Sequence, residues 1–279
     1  MPELPEVETI KEALVKSISN ASINSVSVRN RHLRQFIPES FEKNIEKAII
    51  TRIYRIGKYA LLDLNNGHTI ILHFGMSGKL RFVDSNNPSF EKHDHIVFYT
   101  SKGTIAYNDP RKFGLVSEES SAKIKNLSLF ANLGPDPFDQ ALSTSYLQNK
   151  FKKKQCPIKI ALLDQSIICG IGNIYASEAL YEARISPLRS CTSLTANETK
   201  KLISAIRSTL QKAIDAGGST LHDYRKPDGS TGYFQLQHAV YGKEGMRCPY
   251  CSSNCSAKQG IRRIVQGGRS TFYCPHLQK

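Results

Sequence analysis

Val7, Ile10, Leu14 and Ile18 recur at three- and four-residue intervals with polar positions between them. That spacing predicts an amphipathic helix over about residues 3–18. From residue 21 to about 118 the texture changes to short alternating runs. Ile23-Asn24-Ser25-Val26-Ser27-Val28, Ala60-Leu61-Leu62-Asp63-Leu64 and Thr69-Ile70-Ile71-Leu72 read as strands, as do His95-Ile96-Val97-Phe98-Tyr99 and Thr104-Ile105-Ala106-Tyr107. Asn65-Asn66-Gly67 and Ser101-Lys102-Gly103 supply hairpin turns. This half reads as an antiparallel β sandwich or barrel preceded by one helix. Leu133-Gly134-Pro135-Asp136-Pro137 marks a boundary, and helical periodicity follows over about residues 142–154, 157–165, 172–183 and 195–215. Gly217-Gly218-Ser219 stops the last helix, and a glycine-rich polar loop runs to about Gly232. A short cysteine-bearing ribbon begins at Tyr241. The predicted class is α+β, divided at residues 1–132, 133–240 and 241–279.

Charge narrows the partner. Thirty-eight Lys and Arg against 24 Asp and Glu leave a net +14, with a pI near 9.5, which points to a polyanion such as nucleic acid. The seven cysteines are an odd number, and Cys156, Cys169 and Cys191 stand alone as small core or surface residues, so a disulfide framework is not expected. No basic-then-apolar leader opens the chain and no apolar run reaches membrane-spanning length. The expectation is a soluble, cytoplasmic monomer.

Chemistry concentrates at the start. Removal of Met1, which a small second residue permits, would give Pro2 a free secondary amine. Attack of that amine on an aldehyde-like carbon gives an iminium that cannot lose its charge at nitrogen, a lasting electron sink. Glu3 beside it could move the proton. An ordinary first helical turn with proline and acidic residues is the plainer reading of the same residues.

Three other regions carry candidate sites. Cys248-Pro249-Tyr250-Cys251 has zinc-knuckle spacing and Cys274 follows a strand-like run, but Leu277 stands where a second pair would close. Cys255 or His276 could complete a zinc site; the alternative is a metal-free hairpin held by Ile261, Ile264, Val265 and Phe272. Arg262, Arg263 and Arg269 make that hairpin cationic. Gly170-Ile171-Gly172-Asn173-Ile174-Tyr175 is a tight turn into a helix, able to offer amides to an anion, with Lys150 and Lys152-Lys153-Lys154 shortly before it. Met76, and Arg111 with Phe113, lie on turns where such side chains could fill the gap left by an extruded base; taken singly, Met76 and Phe113 also read as core plugs.

Together these runs resemble one family. Pro-Glu-Leu-Pro-Glu-Val-Glu-Thr after the initiator, Gly57-Lys58-Tyr59, residues 73–80, Lys92-His93-Asp94-His95, residues 109–114, residues 170–175 and the cysteine tail occur in the order found in formamidopyrimidine-DNA glycosylase. This is the 8-oxoguanine-excising branch of the helix–two-turn–helix glycosylases. The sister branch, endonuclease VIII, prefers oxidised pyrimidines, typically has glycine where this chain has Leu4, and lacks the His-Phe-Gly-Met-Ser-Gly loop. A non-catalytic protein recognising damaged duplex is the reading from a different class, disfavoured by the retention of Pro2, Glu3 and Lys58 together.

The resemblance implies a helix–two-turn–helix second domain, a zinc-ribbon-like hairpin and no catalytic cofactor. It implies Pro2 as nucleophile, Glu3 as acid, Lys58 as the cation used in elimination, and Glu6 as support for the helix end. It further implies Arg269 and Asn173 as a clamp on phosphates, Arg269 also serving δ elimination. Met76, Arg111 and Phe113 would fill the void, with Arg111 probing the orphaned cytosine, and His93 and Lys154 would be further DNA contacts. The stretch 221–232 resembles a flexible lid over an oxidised purine.

Overall fold

The computed structural model describes residues 1–84, 88–220, 224–251 and 260–279. The chain divides into two compact units: residues 1–131 with 214–235, and residues 132–213 with 236–279. This partition cuts the chain differently from the three consecutive segments expected. The 214–235 stretch joins the first unit, and the hairpin joins the helices.

In the first unit, α1 (Leu4–Ile18) follows the N-cap residue Glu3 and carries Pro5 in its first turn. Val7, Ile10, Leu14 and Ile18 are all buried, so the apolar stripe read from the sequence is the face that packs. Eight strands follow: β1 (Ile23–Val28), β2 (Ile50–Ile56), β3 (Tyr59–Leu64), β4 (His68–His73), β5 (Lys79–Val83), β6 (Asp94–Thr100), β7 (Gly103–Asn108) and β8 (Leu115–Ser120). A short helix, α2 (Ser40–Ile45), lies between β1 and β2. The strands form two antiparallel four-stranded sheets, ordered β1-β6-β7-β5 and β2-β3-β4-β8. Side chains from both sheets and from α1 share one core, which includes Ile23, Phe98, Ile105 and Leu80 of the first sheet and Ile50, Leu62, Ile70 and Leu72 of the second. Tyr224, far along the chain, completes the same core.

The second unit contains α3 (Thr144–Phe151), α4 (Ile158–Leu163), α5 (Asn173–Glu182) and α6 (Ala196–Asp215), the last ending in the first unit. Ser143 Oγ caps α3 by accepting the Tyr146 N–H, and Glu198 Oε2 accepts the Thr195 N–H at the start of α6. The tail is a hairpin of β9 (Arg262–Gln266) and β10 (Arg269–Tyr273). Ile261 and Phe272 anchor it, but Val265 is 68% exposed, so the four-residue apolar clamp of the metal-free alternative is only partly formed. Among the described residues no helix is long and apolar enough to cross a membrane.

Candidate active site and nucleic-acid interface

Pro2 and Glu3 are buried at the head of α1, beneath an exposed Met1. What holds them is Glu6, itself only 2% exposed. Its Oε2 accepts the Glu3 backbone N–H at 2.8 Å, and its Oε1 accepts the Ser219 N–H at 2.7 Å. One carboxylate therefore fixes the chain beside Pro2 and the loop that follows α6. That loop must come close: Gly218 has φ of 81°, and a Cβ there would lie 2.9 Å from Glu6 Oε1.

Lys58 sits in the β2–β3 turn and is 8% exposed. Arg55 ties this turn to α1, donating to Glu8 Oε2 at 2.7 Å and to the Gly57 carbonyl at 2.9 Å. At the end of β4, burial and the positive charges of Arg34 and Lys58 push His73 down to about 4. Gly75 N–H donates to His73 Nδ1 at 3.2 Å, which fits a neutral ring. Arg34 was not singled out in the sequence. It lies in an irregular loop whose only regular feature is a lone bridge between His32 and Phe36, and its N–H donates to the Gly114 carbonyl.

Met76 (39% exposed) and Phe113 (50% exposed) project from two turns, with the Arg111 guanidinium 4.9 Å from the Phe113 ring centre. Neither is a core plug. The turns are joined through Asp109, which is fully buried. Asp109 accepts from Ser77 Oγ at 2.6 Å, from Gly114 N–H at 2.8 Å and from Arg111 N–H at 3.3 Å. Gly75, at φ of 53°, lets the first turn lie against the second, since a Cβ would meet the Phe113 carbonyl carbon at 2.4 Å. His93 is half-buried, and its carbonyl accepts the Asp109 N–H.

In the second unit Asn173 opens α5 after Gly172. Its Nδ2 donates to the Ser270 carbonyl at 2.9 Å, so it sits beside the exposed Arg269 at the start of β10. Lys159, with no exposed surface, holds the pair together. Its ammonium donates to Asn173 Oδ1 at 2.6 Å, Thr271 Oγ1 at 2.6 Å and the Ser270 carbonyl at 3.0 Å. The signal in the sequence was a lone lysine within the apolar run of residues 158–163, a place where a charge survives only with partners. Glu178 accepts the N–H groups of Ala239, Val240 and Tyr241, which fixes Tyr241 near Asn173 Nδ2 (3.3 Å to its hydroxyl). Lys154 follows α3 and is paired to Asp164 at 2.7 Å. Burial alone would raise the Asp164 carboxyl, but hydrogen bonds from Lys154 and Ser166 bring it down to about 2.

Cys248, Cys251 and Cys274 bring their Sγ atoms within 4.8 Å of one another, a thiol set able to hold a metal ion. His276, one of the two expected fourth ligands, is exposed and does not join that cluster. The other, Cys255, lies outside the described residues.

An N-terminal helix leading into a two-sheet sandwich, then a helical unit ending in a cysteine-bearing hairpin, is the architecture of a helix–two-turn–helix DNA glycosylase. Within that class the chain belongs to the formamidopyrimidine-DNA glycosylase family. Residues 1–116 match its N-terminal domain and residues 133–225 its H2TH domain. The formamidopyrimidine-DNA glycosylase of Wolbachia pipientis wMel is 45% identical over 279 residues, covering all of both chains. A Lactococcus lactis Fpg mutant in complex with a Fapy-dG containing DNA superposes with a TM-score of 0.90 at 34% identity, covering all of both chains. The wild-type Lactococcus lactis Fpg bound to an oxidised pyrimidine containing DNA gives a TM-score of 0.89 at 34% identity, again over all of both chains. The chain is an enzyme, a DNA glycosylase of base excision repair.

Proposed function

We propose that this glycosylase removes oxidised purines, 8-oxoguanine and formamidopyrimidines, from duplex DNA opposite cytosine, and then cleaves the strand. The observation that carries the mechanism is the buried Pro2-Glu3 terminus held by the Glu6 carboxylate. Once Met1 is removed, the Pro2 amine attacks C1′ of the deoxyribose of a nucleotide turned out of the stack. Glu3 protonates the ring oxygen, the glycosidic bond breaks, and the base departs. The iminium acidifies the C2′ proton, so the 3′ phosphate leaves by β elimination and the 5′ phosphate by δ elimination. Lys58 supplies the cation beside sugar and phosphate during elimination.

Met76, Arg111 and Phe113 enter the vacated space as one piece, because Asp109 binds their turns together. Asn173 and Arg269 grip phosphates flanking the lesion, and Lys159 keeps them in register. His93 and Lys154 add DNA contacts, Lys154 by leaving Asp164 for a phosphate. The net +14 suits a monomer acting on DNA in the cytoplasm.

The cysteine cluster holds one structural zinc, which would brace the hairpin carrying Arg269. Thiolate donors at this separation fit that ion, and no catalytic cofactor takes part. Metal analysis of the wild-type, Cys248→Ser, Cys255→Ser and His276→Ala proteins tests it. One equivalent in wild type, lost in the first two variants and kept in the third, is expected. Less than about half an equivalent in wild type rejects a zinc site.

Incision of matched duplexes decides substrate. Duplexes with 8-oxoguanine opposite cytosine should be cut faster than those with thymine glycol, leaving a one-nucleotide gap. The reverse preference would move the chain to the pyrimidine-directed branch, whose substrate class is the one held in the Lactococcus lactis oxidised pyrimidine complex.

A further inference from the structure

Two cysteines outside the metal cluster face each other. Pro157 and Ser190 form an antiparallel bridge, flanked by hydrogen bonds from Cys191 N–H to the Cys156 carbonyl (3.0 Å) and from Ile158 N–H to the Arg189 carbonyl (2.7 Å). That register sets Cys156 directly opposite Cys191. Opposed residues of this kind have Cα atoms about 5.5 Å apart, inside the roughly 4.4–6.8 Å that a disulfide spans. Both cysteines are free, and Cys191 lies near enough to act on the Cys156 thiol. Their exposure differs: Cys156 is partly open to solvent, while Cys191 is buried and donates its S–H to the Lys154 carbonyl at 3.0 Å.

We propose that Cys156 and Cys191 are an oxidisable dithiol, in which the accessible Cys156 reacts first and the buried Cys191 resolves it to a reversible disulfide. With hydrogen peroxide as oxidant, the Cys156 thiolate attacks one peroxide oxygen and expels hydroxide, becoming a sulfenic acid. The Cys191 sulfur then attacks the Cys156 sulfur, and the sulfenic hydroxyl leaves as water once protonated by the Cys191 proton. Two thiols and one peroxide give one disulfide and two waters. Burial and the neighbouring Cys191 push the Cys156 thiol up, so little thiolate is present at neutral pH and the reaction is slow.

The product would staple residues 156 and 191, enclosing α4 and α5. Lys159 and Asn173 both lie inside that loop. The bond would fix the base of the phosphate clamp under the oxidising conditions that also generate oxidised bases. The long enclosed loop predicts a higher unfolding temperature for the oxidised protein.

The test treats intact metal-loaded protein with hydrogen peroxide and, separately, with a diazene thiol oxidant. Free thiols are then alkylated and the peptides mapped by mass spectrometry. The expected result is a Cys156–Cys191 cross-linked peptide, lost on treatment with dithiothreitol and absent from Cys156→Ser and from Cys191→Ser. The oxidised wild type should unfold a few degrees higher than the reduced form, and neither variant should shift. Cys156 stopping at sulfinic acid while Cys191 stays alkylatable would overturn the proposal. So would oxidation confined to the metal-cluster cysteines.

Discussion

Glu6→Gln isolates the contact that holds the proposed catalytic terminus. The wild-type carboxylate accepts two backbone N–H groups at 2.8 and 2.7 Å while 98% buried. A glutamine retains one carbonyl acceptor and turns an amide NH2 toward the other N–H, so one buried donor loses its partner. Hydrogen bonds to a charged acceptor contribute about 1.5–3 kcal/mol, and an unpaired buried donor costs about 1–3 kcal/mol. The change should therefore destabilise the first unit by about 2–4 kcal/mol. If about 2–3 kcal/mol of that is felt in holding Pro2 against the sugar, the rate falls roughly 30- to 150-fold.

Single-turnover assays on an 8-oxoguanine duplex and on a preformed abasic site distinguish the two arms of the contact. Loss through Glu3 slows both reactions alike, because both need the amine. Loss through Ser219 slows base removal far more, because only the loop after α6 is disturbed. Rates within about twofold of wild type on both substrates, with an unchanged unfolding midpoint, would refute this account of Glu6.

Other variants test other parts. Asp109→Ala should cost about 3–5 kcal/mol in urea unfolding and blunt discrimination of the opposite base more than abasic-site cleavage, since Ser77, Arg111 and Gly114 lose a shared acceptor. Lys159→Met should weaken duplex binding about tenfold and lower the share of δ product, read from Kd and gel products, because Asn173 and Ser270 lose their common donor. His73 gives a pH prediction. Its native value of about 4 lies below the ordinary 6.5, so between these values the unfolded chain binds more protons. Stability is present in full above pH 6.5 and falls by up to about 3 kcal/mol as pH drops toward 4. A urea series on wild type and His73→Gln should show that extra loss in wild type alone.

Legibility followed chemistry more than geometry. The apolar stripe of α1 and the strands β3, β4, β6 and β7 stood out because most of their positions are buried. Among the eight strands of the first unit, three were not individually read, and all three are sheet edges: β2, β5 and β8. Half of an edge strand faces less cover, so runs such as Ile50-Thr51-Arg52-Ile53-Tyr54-Arg55-Ile56 carry charge and lose the pattern. The return of residues 214–235 to the first unit had no local signal, because Glu6 and Ser219 are 213 positions apart. Pro2, Glu3, Met76 and Asn173 were singled out as unusual residues in turn or terminal contexts, whereas Lys58 entered only through the family resemblance, and the roles of all five are proposals. Lys159 and Asp109 were not assigned roles, since a buried charge declares itself only once its partners are placed around it.

Reduction during turnover tests the central claim most directly. Sodium borohydride added to the enzyme with an 8-oxoguanine:cytosine duplex should trap a covalent adduct, and peptide sequencing should place the DNA on the Pro2 nitrogen of a chain lacking Met1. Full strand cleavage with no trapped adduct, or full activity from protein that retains Met1, would contradict it.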